Sequence, residues 1–344
     1  MGRYRTGLGR LNKVPISNSQ ILQAFLKAGP DVYYSGEALA QELSISRVAV
    51  HARIKKLEQS GIRFDAVPRK GYRLLAEPEF LHADLLDAHL QVAKVPLDSC
   101  TLLEVVDSTN YEVDRRLSQN AGAPLAILAH QQTHGRGRLG RKWHSDSNGN
   151  LYLSVGFRPG AESTEISLFS LWAGVRIAES LRQFLDIPVQ VKWPNDLHVE
   201  GKKIAGILCE AKMELGRVQT LVFGFGLNVN QDASTLPDDL RTPASSIKTI
   251  LGGATDIHPV TLRVIQSVLR AYEDCSKPDS GVALQANFHA LDTLLGKPVE
   301  IQAGNVQKSG VARGIDEQGN LLLECKDGLI STISSGDVSV IPTI

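Results

Sequence analysis

The chain has 344 residues, 42% of them hydrophobic and 22% charged, with 37 Lys+Arg against 37 Asp+Glu. That length predicts two or three domains with packed cores. No run of about 18 apolar residues offers a membrane span, no apolar stretch of signal-peptide type follows the first basic residues, and Cys100, Cys209, Cys275 and Cys325 form no C-x-x-C pair, so a cytoplasmic protein without membrane partner, zinc site or disulfide framework is expected.

The zero net charge hides an asymmetry. Residues 1–76 carry 13 Lys/Arg and 5 Asp/Glu, a balance of +8, which leaves −8 on the rest. Within this basic segment Ile21, Leu22, Phe25 and Leu26 fall at helical spacing, and Gly29-Pro30 stops that helix. Ser35 is placed to cap a second helix with Ala38, Leu39 and Leu43 on one face. Ser46 is placed to cap a third that buries Val50, Ile54 and Leu57. The opposite face of the third helix carries Arg47, His51 and Lys55. Residues 64–67 and 72–75 then flank Pro68-Arg69-Lys70-Gly71 as a hairpin with a basic tip. This reads as a winged helix-turn-helix. Ser46, Arg47, His51 and Lys55 are the candidate groove contacts, and Arg69 and Lys70 the candidate phosphate contacts. A three-helix protein-interaction module is the alternative. Residues 77–100 read as a connector, punctuated by Pro78 and Pro96, with an amphipathic helix carrying Leu81, Leu85, Leu86 and Leu90.

From about 101 to 295 the pattern alternates strands and helices. Val105-Val106 runs into Asp107-Ser108-Thr109-Asn110, a cluster that a helix N-cap alone would explain. After a strand-like run at 125–129 comes Gly135-Arg136-Gly137-Arg138-Leu139-Gly140-Arg141-Lys142-Trp143, four cations and three glycines in nine residues. Its G-x-G-x-x-G resembles a dinucleotide fingerprint, but loop residues and then a strand at 151–155 follow it where that fingerprint needs a helix. Arginine forks and glycine freedom suit a loop that closes over an anion. A long helix is expected near 166–184. Next, Lys192-Trp193-Pro194-Asn195-Asp196-Leu197 places a lysine, an amide and a carboxylate at a proline-stiffened turn. Lys203 precedes the apolar run 204–208, and residues 221–230 read as a strand whose glycines permit close approach of another group. Residues 296–344 read as a small all-β domain with strands near 299–301, 310–312, 320–323 and 330–333.

Each of these segments has a bland explanation by itself. Together, in this order, they resemble the catalytic domain of biotin–protein ligases. The match runs through Asp107-Ser108-Thr109-Asn110, Gln132, the 135–143 loop, 192–197, Lys203-Ile204-Ala205-Gly206-Ile207-Leu208 and Gly226-Leu227-Asn228. Ser46-Arg47-Val48-Ala49-Val50 and Val67-Pro68-Arg69-Lys70-Gly71-Tyr72 resemble the winged helix of the bifunctional members, which also repress biotin-synthesis genes. The resemblance covers residue 17 to the end. It implies an α+β, multi-domain chain: a winged helix-turn-helix over 1–76 (with 1–16 an extension), a connector over 77–100, a mixed α/β ligase domain over 101–295 and an SH3-like barrel over 296–344.

It also implies the chemistry. Biotin's carboxylate attacks the α-phosphate of ATP, giving biotinyl-5′-AMP and pyrophosphate, and a carrier-protein lysine then takes the biotinyl group. Lys203, Arg136, Arg138 and Lys192 are the expected catalytic cations. Ser108, Thr109, Asn110, Gln132, Gly135, Gly137, Gly206 and Asn228 join Arg136, Arg138 and Lys203 as the expected biotin and adenylate contacts. Asp196 is the expected Mg2+ ligand. The implied partners are the biotin carboxyl carrier protein of acetyl-CoA carboxylase, operator DNA, and a second copy of the chain once adenylate is bound. Leu139 stands where a further arginine is common, and the adenine-covering segment falls near 243–247. A lipoate–protein ligase, or a repressor with a degenerate ligand domain, are the competing readings. The intact cations and the 135–143 and 192–197 patterns favour the biotin ligase.

Overall fold

The computed structural model of the protein describes residues 17–159, 167–237, 240, 242–303 and 306–341. The extension 1–16 lies outside them. The chain divides into two units, one of residues through Glu77 with Asp87–Val92, the other of Pro78–Leu86 with Ala93 onward.

In the first unit serine hydroxyls fix the helix starts. α1 (Asn18–Ala28) opens with a capping box in which Ser17 Oγ accepts from Gln20 N and Gln20 Oε1 accepts from Ser17 N. Ser35 caps α2 (Gly36–Glu42) and Ser46 caps α3 (Arg47–Gln59) through the amides three residues on. Each such cap contributes about 1 kcal/mol. Ile21, Leu22, Phe25, Leu39, Val50, Ile54, Leu57 and Ile62 are buried and form the core. The wing is the antiparallel pair β1 (Arg63–Val67) and β2 (Gly71–Ala76). Gly71, at φ +112°, lets the wing approach the chain before α2: a Cβ there would collide with Tyr34 O, and Tyr34 and Tyr72 exchange both backbone hydrogen bonds. α4 (Ala83–Val92) straddles the division between the units, with Leu81, Leu85, Leu86 and Leu90 buried.

The second unit is built on a seven-stranded mixed sheet in the order β3-β4-β5-β9-β8-β7-β6. Its members are β3 (Ser99–Val106), β4 (Leu125–Gln132), β5 (Leu151–Phe157), β6 (Gln190–Lys192), β7 (Asp196–Val199), β8 (Lys202–Glu214) and β9 (Arg217–Leu227). Only the β3–β4 pair is parallel. Alternation along the strands sorts the helices to two faces. Val222 packs with Val113 and Leu117 of α5 (Thr109–Ser118), and Gly156 lies against the same two side chains. Their neighbours Phe223 and Phe157 point the other way, into rings of Phe169 on α6 (Phe169–Leu185) and Tyr272 on α8 (Ile257–Cys275). Gly224 and Gly226 continue the Val222 face, which leaves that face shallow beyond α5.

α7 (Ile247–Leu251), α8 and α9 (Ser280–His289) occupy a stretch in which the sequence reading named no element. The strand expected over 221–230 ends at Leu227, and Asn228 begins the turn that follows. After α9, β10 (Pro298–Ala303), β11 (Val306–Ile315), β12 (Leu321–Glu324), β13 (Ile330–Ile333) and β14 (Asp337–Val340) form an antiparallel sheet in the order β13-β12-β11-β10-β14. The resemblance implies an SH3-like barrel here; the described residues form a five-stranded sheet with β13 and β14 at its edges. Trp193 Nε1 donates to Gly319 O at 3.0 Å, joining the 193–195 turn to this sheet.

Candidate functional site

A cleft opens on the Gly224–Gly226 face of the large sheet. Ser108, Thr109, Asn110, Gln132, Arg136, Gly137, Arg138, Lys192, Asp196, Lys203, Gly206 and Asn228 all line it. Of the sequence-predicted ligand residues, Gly135 alone does not line it and instead forms the loop stem.

The floor is polar and buried. Thr109 donates from both N and Oγ1 to Gln132 Oε1, at 2.9 and 3.1 Å, and Gln132 Nε2 donates to Ser145 Oγ at 2.9 Å. Ser154 Oγ lies 2.7 Å from Thr109 Oγ1 and 2.6 Å from Asn110 Oδ1. Ser108 sits at the N-cap of α5, but its hydroxyl makes no cap bond and the residue lines the cleft. Asp107 does not cap by that route either: it pairs with Arg115 at 2.8 Å, and that guanidinium holds its carboxyl down at about 2.

The roof is the 135–143 loop, folded as a tight hairpin. Gly137 N donates to Arg141 O and Trp143 N to Gly135 O, with Arg136 and Lys142 bridged across the stem. The glycines serve two needs. Gly140 takes φ +74°, while Gly135 is wanted for space, since a Cβ there would collide with Trp143 O and Ser145 Oγ. Leu139 also takes a positive φ, +55°, and is exposed. The last three residues of the dinucleotide fingerprint, Arg138–Gly140, form a single 3-10 turn, and no helix follows before β5. The Trp143 ring lies over Gly206 and Gly226; a side chain at Gly226 would strike the indole.

The cations are held by the protein itself. Lys203 Nζ lies 2.8 Å from Asp196 Oδ1 and 5.5 Å from the Trp143 ring centroid. Asp196, expected as a metal ligand, is thus the partner of Lys203, and no group of three His, Cys, Asp or Glu among the described residues is placed to hold a metal ion. Arg138 Nη1 donates to Asn195 Oδ1 at 3.2 Å, and Asn195 Nδ2 is fixed on Ile207 O. Arg136 lines the cleft and pairs with Glu210. Lys203 is also tied by its backbone to the 243–247 segment, through Pro243 O and Ser245 N, while Asn228 Nδ2 donates to Ser245 O at 3.0 Å.

Sequence reasoning missed the contribution of β14. Asp337, Val338 and Ser339 line the cleft, and Arg141 of the loop is gripped by both carboxylate oxygens of Asp337. The two residues are 196 positions apart, so no local pattern could have paired them. Glu210 and Tyr111, the partners of Arg136, were also missed.

In the first unit Arg47, His51 and Lys55 are exposed on α3, and Arg69 and Lys70 are exposed at the wing tip. Ser46 is occupied as the α3 cap. His51 Nδ1 lies 3.0 Å from the Tyr72 hydroxyl, so it links the α3 surface to the wing. Lys70 Nζ stands 5.7 Å from the Tyr33 ring centroid.

Comparison with known proteins places these features. Residues 102–228 match the biotin/lipoate A/B protein ligase family, residues 294–340 the biotin protein ligase C-terminal domain and residues 18–73 an HTH domain. The chain is similar to the bifunctional ligase/repressor BirA of Bacillus subtilis, 31% identical over 93% of this chain and 97% of that protein. It is 33% identical to the Escherichia coli protein of the same description, over 96% of this chain and 98% of the other. Among solved structures it resembles a biotin protein ligase from Aquifex aeolicus in complex with biotin and ATP, with a TM-score of 0.60 and 29% identity over 71% of this chain and 99% of that one. With a winged helix ahead of the ligase fold and near end-to-end coverage of such relatives, the chain belongs to the bifunctional biotin ligase/repressor family.

Proposed function

We propose that the protein is an ATP-dependent biotin–protein ligase that also represses transcription. It joins biotin to AMP and passes the biotinyl group to a lysine of a biotin carboxyl carrier protein such as that of acetyl-CoA carboxylase. The observation that carries the reading is the cleft: a buried hydroxyl and amide floor suited to biotin's neutral ureido ring, facing a cation-rich roof and wall suited to a carboxylate and a phosphate.

Two anions meet in the first step, so the barrier falls when fixed cations neutralise both. Lys203 is the residue proposed at the carboxylate and α-phosphate, oriented by Asp196 and Trp143, with Arg138 and Lys192 completing the positive wall. Ser108, Thr109 and Gln132 are proposed to bind the ureido ring, and Gly206 and Asn228 to border the acid and nucleotide. Gly135 and Gly137 shape the loop so that Trp143 lies across the pocket and water is kept from the mixed anhydride. The carrier lysine then attacks the acyl carbon, forming the amide and releasing AMP. Magnesium enters with ATP as part of that substrate and neutralises its polyphosphate. Such an ion would take one or two protein carboxylates and otherwise phosphate and water; of the cleft carboxylates Asp196 and Asp337, which pair with Lys203 and Arg141, Asp196 is the one proposed to share its oxygens with the ion.

For the basic first unit we propose operator binding upstream of biotin-synthesis genes, with biotinyl-5′-AMP as corepressor and adenylate-driven pairing of two copies. Arg47, His51 and Lys55 are placed for the major groove and Arg69 and Lys70 for phosphates. The proposed division is a DNA-binding domain over 1–76, a connector over 77–100, a ligase domain over 101–295 and an SH3-like domain over 296–344. No described helix is long and apolar enough to cross a membrane.

Radiolabelled ATP supplied with biotin or with lipoate tests the ligase reading. Acyl-adenylate with biotin alone is expected; adenylate with lipoate alone, or with neither acid, contradicts it. A gel shift on the upstream region of the host's biotin-synthesis genes tests the repressor reading. Salt-sensitive binding that strengthens with biotin plus MgATP is expected, and binding indifferent to the adenylate contradicts it.

A further inference from the structure

Arg136, the first arginine of the roof loop, points its guanidinium at Glu210. Its Nη1 lies 2.8 Å from Glu210 Oε1 and 2.9 Å from Oε2, and its Cζ lies 4.5 Å from the Tyr111 ring centroid. Glu210 belongs to β8 and accepts a second bond, from Asn110 Nδ2 at 2.8 Å. Asn110 in turn donates to Leu208 O and packs into the space that Gly224 leaves without a side chain. One carboxylate therefore joins the loop stem, the start of α5 and the large sheet. Glu210 itself does not line the cleft.

A planar guanidinium laid between a carboxylate and an aromatic ring is fixed in two directions, which a lysine in its place would not be. Because Arg136 bridges Lys142 across the loop stem, fixing Arg136 sets the position of both arms. Arg138, Arg141 and Trp143 are carried on those arms. We propose that Glu210 is a positioning residue of the ligase: through Arg136 it pins the roof loop over the cleft and so keeps the acyl-adenylate from escaping before transfer. In this arrangement Arg136 is the pin of the loop, and the anion-binding role expected of it passes to Lys203 and Arg138. The inference rests on the ligase reading.

The test compares full-length wild type with Glu210→Gln, Arg136→Gln and the double variant, each given biotin and labelled MgATP without carrier protein. Glutamine keeps an oxygen for Asn110 and removes the charge that Arg136 meets. The readouts are the rate of pyrophosphate formation in the first turnover and the rate at which free adenylate passes an ultrafiltration membrane. Glu210→Gln is expected to release adenylate roughly tenfold faster while slowing the first turnover by less than about threefold. The double variant should release it no faster than the worse single variant, because the two side chains act as one unit. A Glu210→Gln protein that retains adenylate as wild type does overturns the proposal. So does a double variant whose release rate is the product of the single effects. Should Glu210→Gln fail to fold by its melting curve, Tyr111→Leu, which removes only the ring beside Arg136, carries the same prediction and the same refutation. A wild type that makes no adenylate refutes the ligase reading first.

Discussion

The floor and the roof of the cleft are held together by different physics. The floor, where Thr109, Gln132 and Ser154 are 4%, 8% and 0% exposed, is a run of hydrogen bonds from Ser154 to Thr109, from Thr109 to Gln132 and on to Ser145. Its geometry is set before any ligand arrives, because a buried hydroxyl or amide that lost its partner would cost about 1–3 kcal/mol. The roof is held by ion pairs at the surface: the side chains of Arg136 and Arg141 are 34% and 47% exposed. An isolated surface pair of this kind contributes about 1 kcal/mol or less; Arg136 is held further by the Tyr111 ring, while Arg141 is held by the Asp337 carboxylate. A neutral ring is best recognised by a rigid floor. A charged adenylate is best enclosed by a loop whose cations, such as Arg141, are able to exchange a carboxylate for phosphate, while the Arg136–Glu210 pair keeps the loop in register.

Several variants break or sharpen this contrast. Lys203→Ala should have the largest effect, slowing adenylate formation on the order of 10²–10³-fold with the fold intact; the initial rate with labelled ATP checks it, and circular dichroism shows whether the fold survives. Thr109→Val should strike the floor twice, weakening biotin binding about tenfold and lowering unfolding stability by about 1–3 kcal/mol. Calorimetric titration with biotin and urea denaturation measure the two losses. Asp337→Asn should loosen the roof alone, raising tryptic cleavage after Arg138 or Arg141 a few-fold with stability changed by about 1 kcal/mol or less. The last effect is away from the cleft and touches stability alone. Burial pushes the Asp292 carboxyl up to about 6. The folded state then holds the proton more tightly than the unfolded chain, so Asp292 costs stability as pH rises from about 4 to about 6 and the cost is complete above that window. Asp292→Asn should flatten this decline, by an amount on the order of 2 kcal/mol at pH 7, in denaturation curves taken across that range.

How much of this was legible followed the range of the interactions. The helix-turn-helix was readable because caps and apolar triads are local: Ser35 and Ser46 cap as their spacing predicts, and Val50, Ile54 and Leu57 are the buried face. Gln132 was found only through the family resemblance, since a glutamine at the end of a strand carries no signal of its own, and Thr109, visible as part of a helix-start cluster, took its ligand role from the same source. β14 was passed over because four residues with one polar-apolar alternation resemble any tail. Arg141 was readable as a cation but not as the partner of Asp337, nor Arg136 as the partner of Glu210, which lies 74 residues away. Leu139 shows the same limit in the backbone: it takes a conformation that its residue type does not advertise.

Hydrogen–deuterium exchange of the 135–143 amides, set beside those of β4, tests the contrast between roof and floor most directly. With biotin and MgATP the loop amides should slow by about tenfold or more relative to the free protein, while the β4 amides, already locked, change little. A loop equally protected with and without ligand, or a floor that tightens as much as the roof, would contradict it.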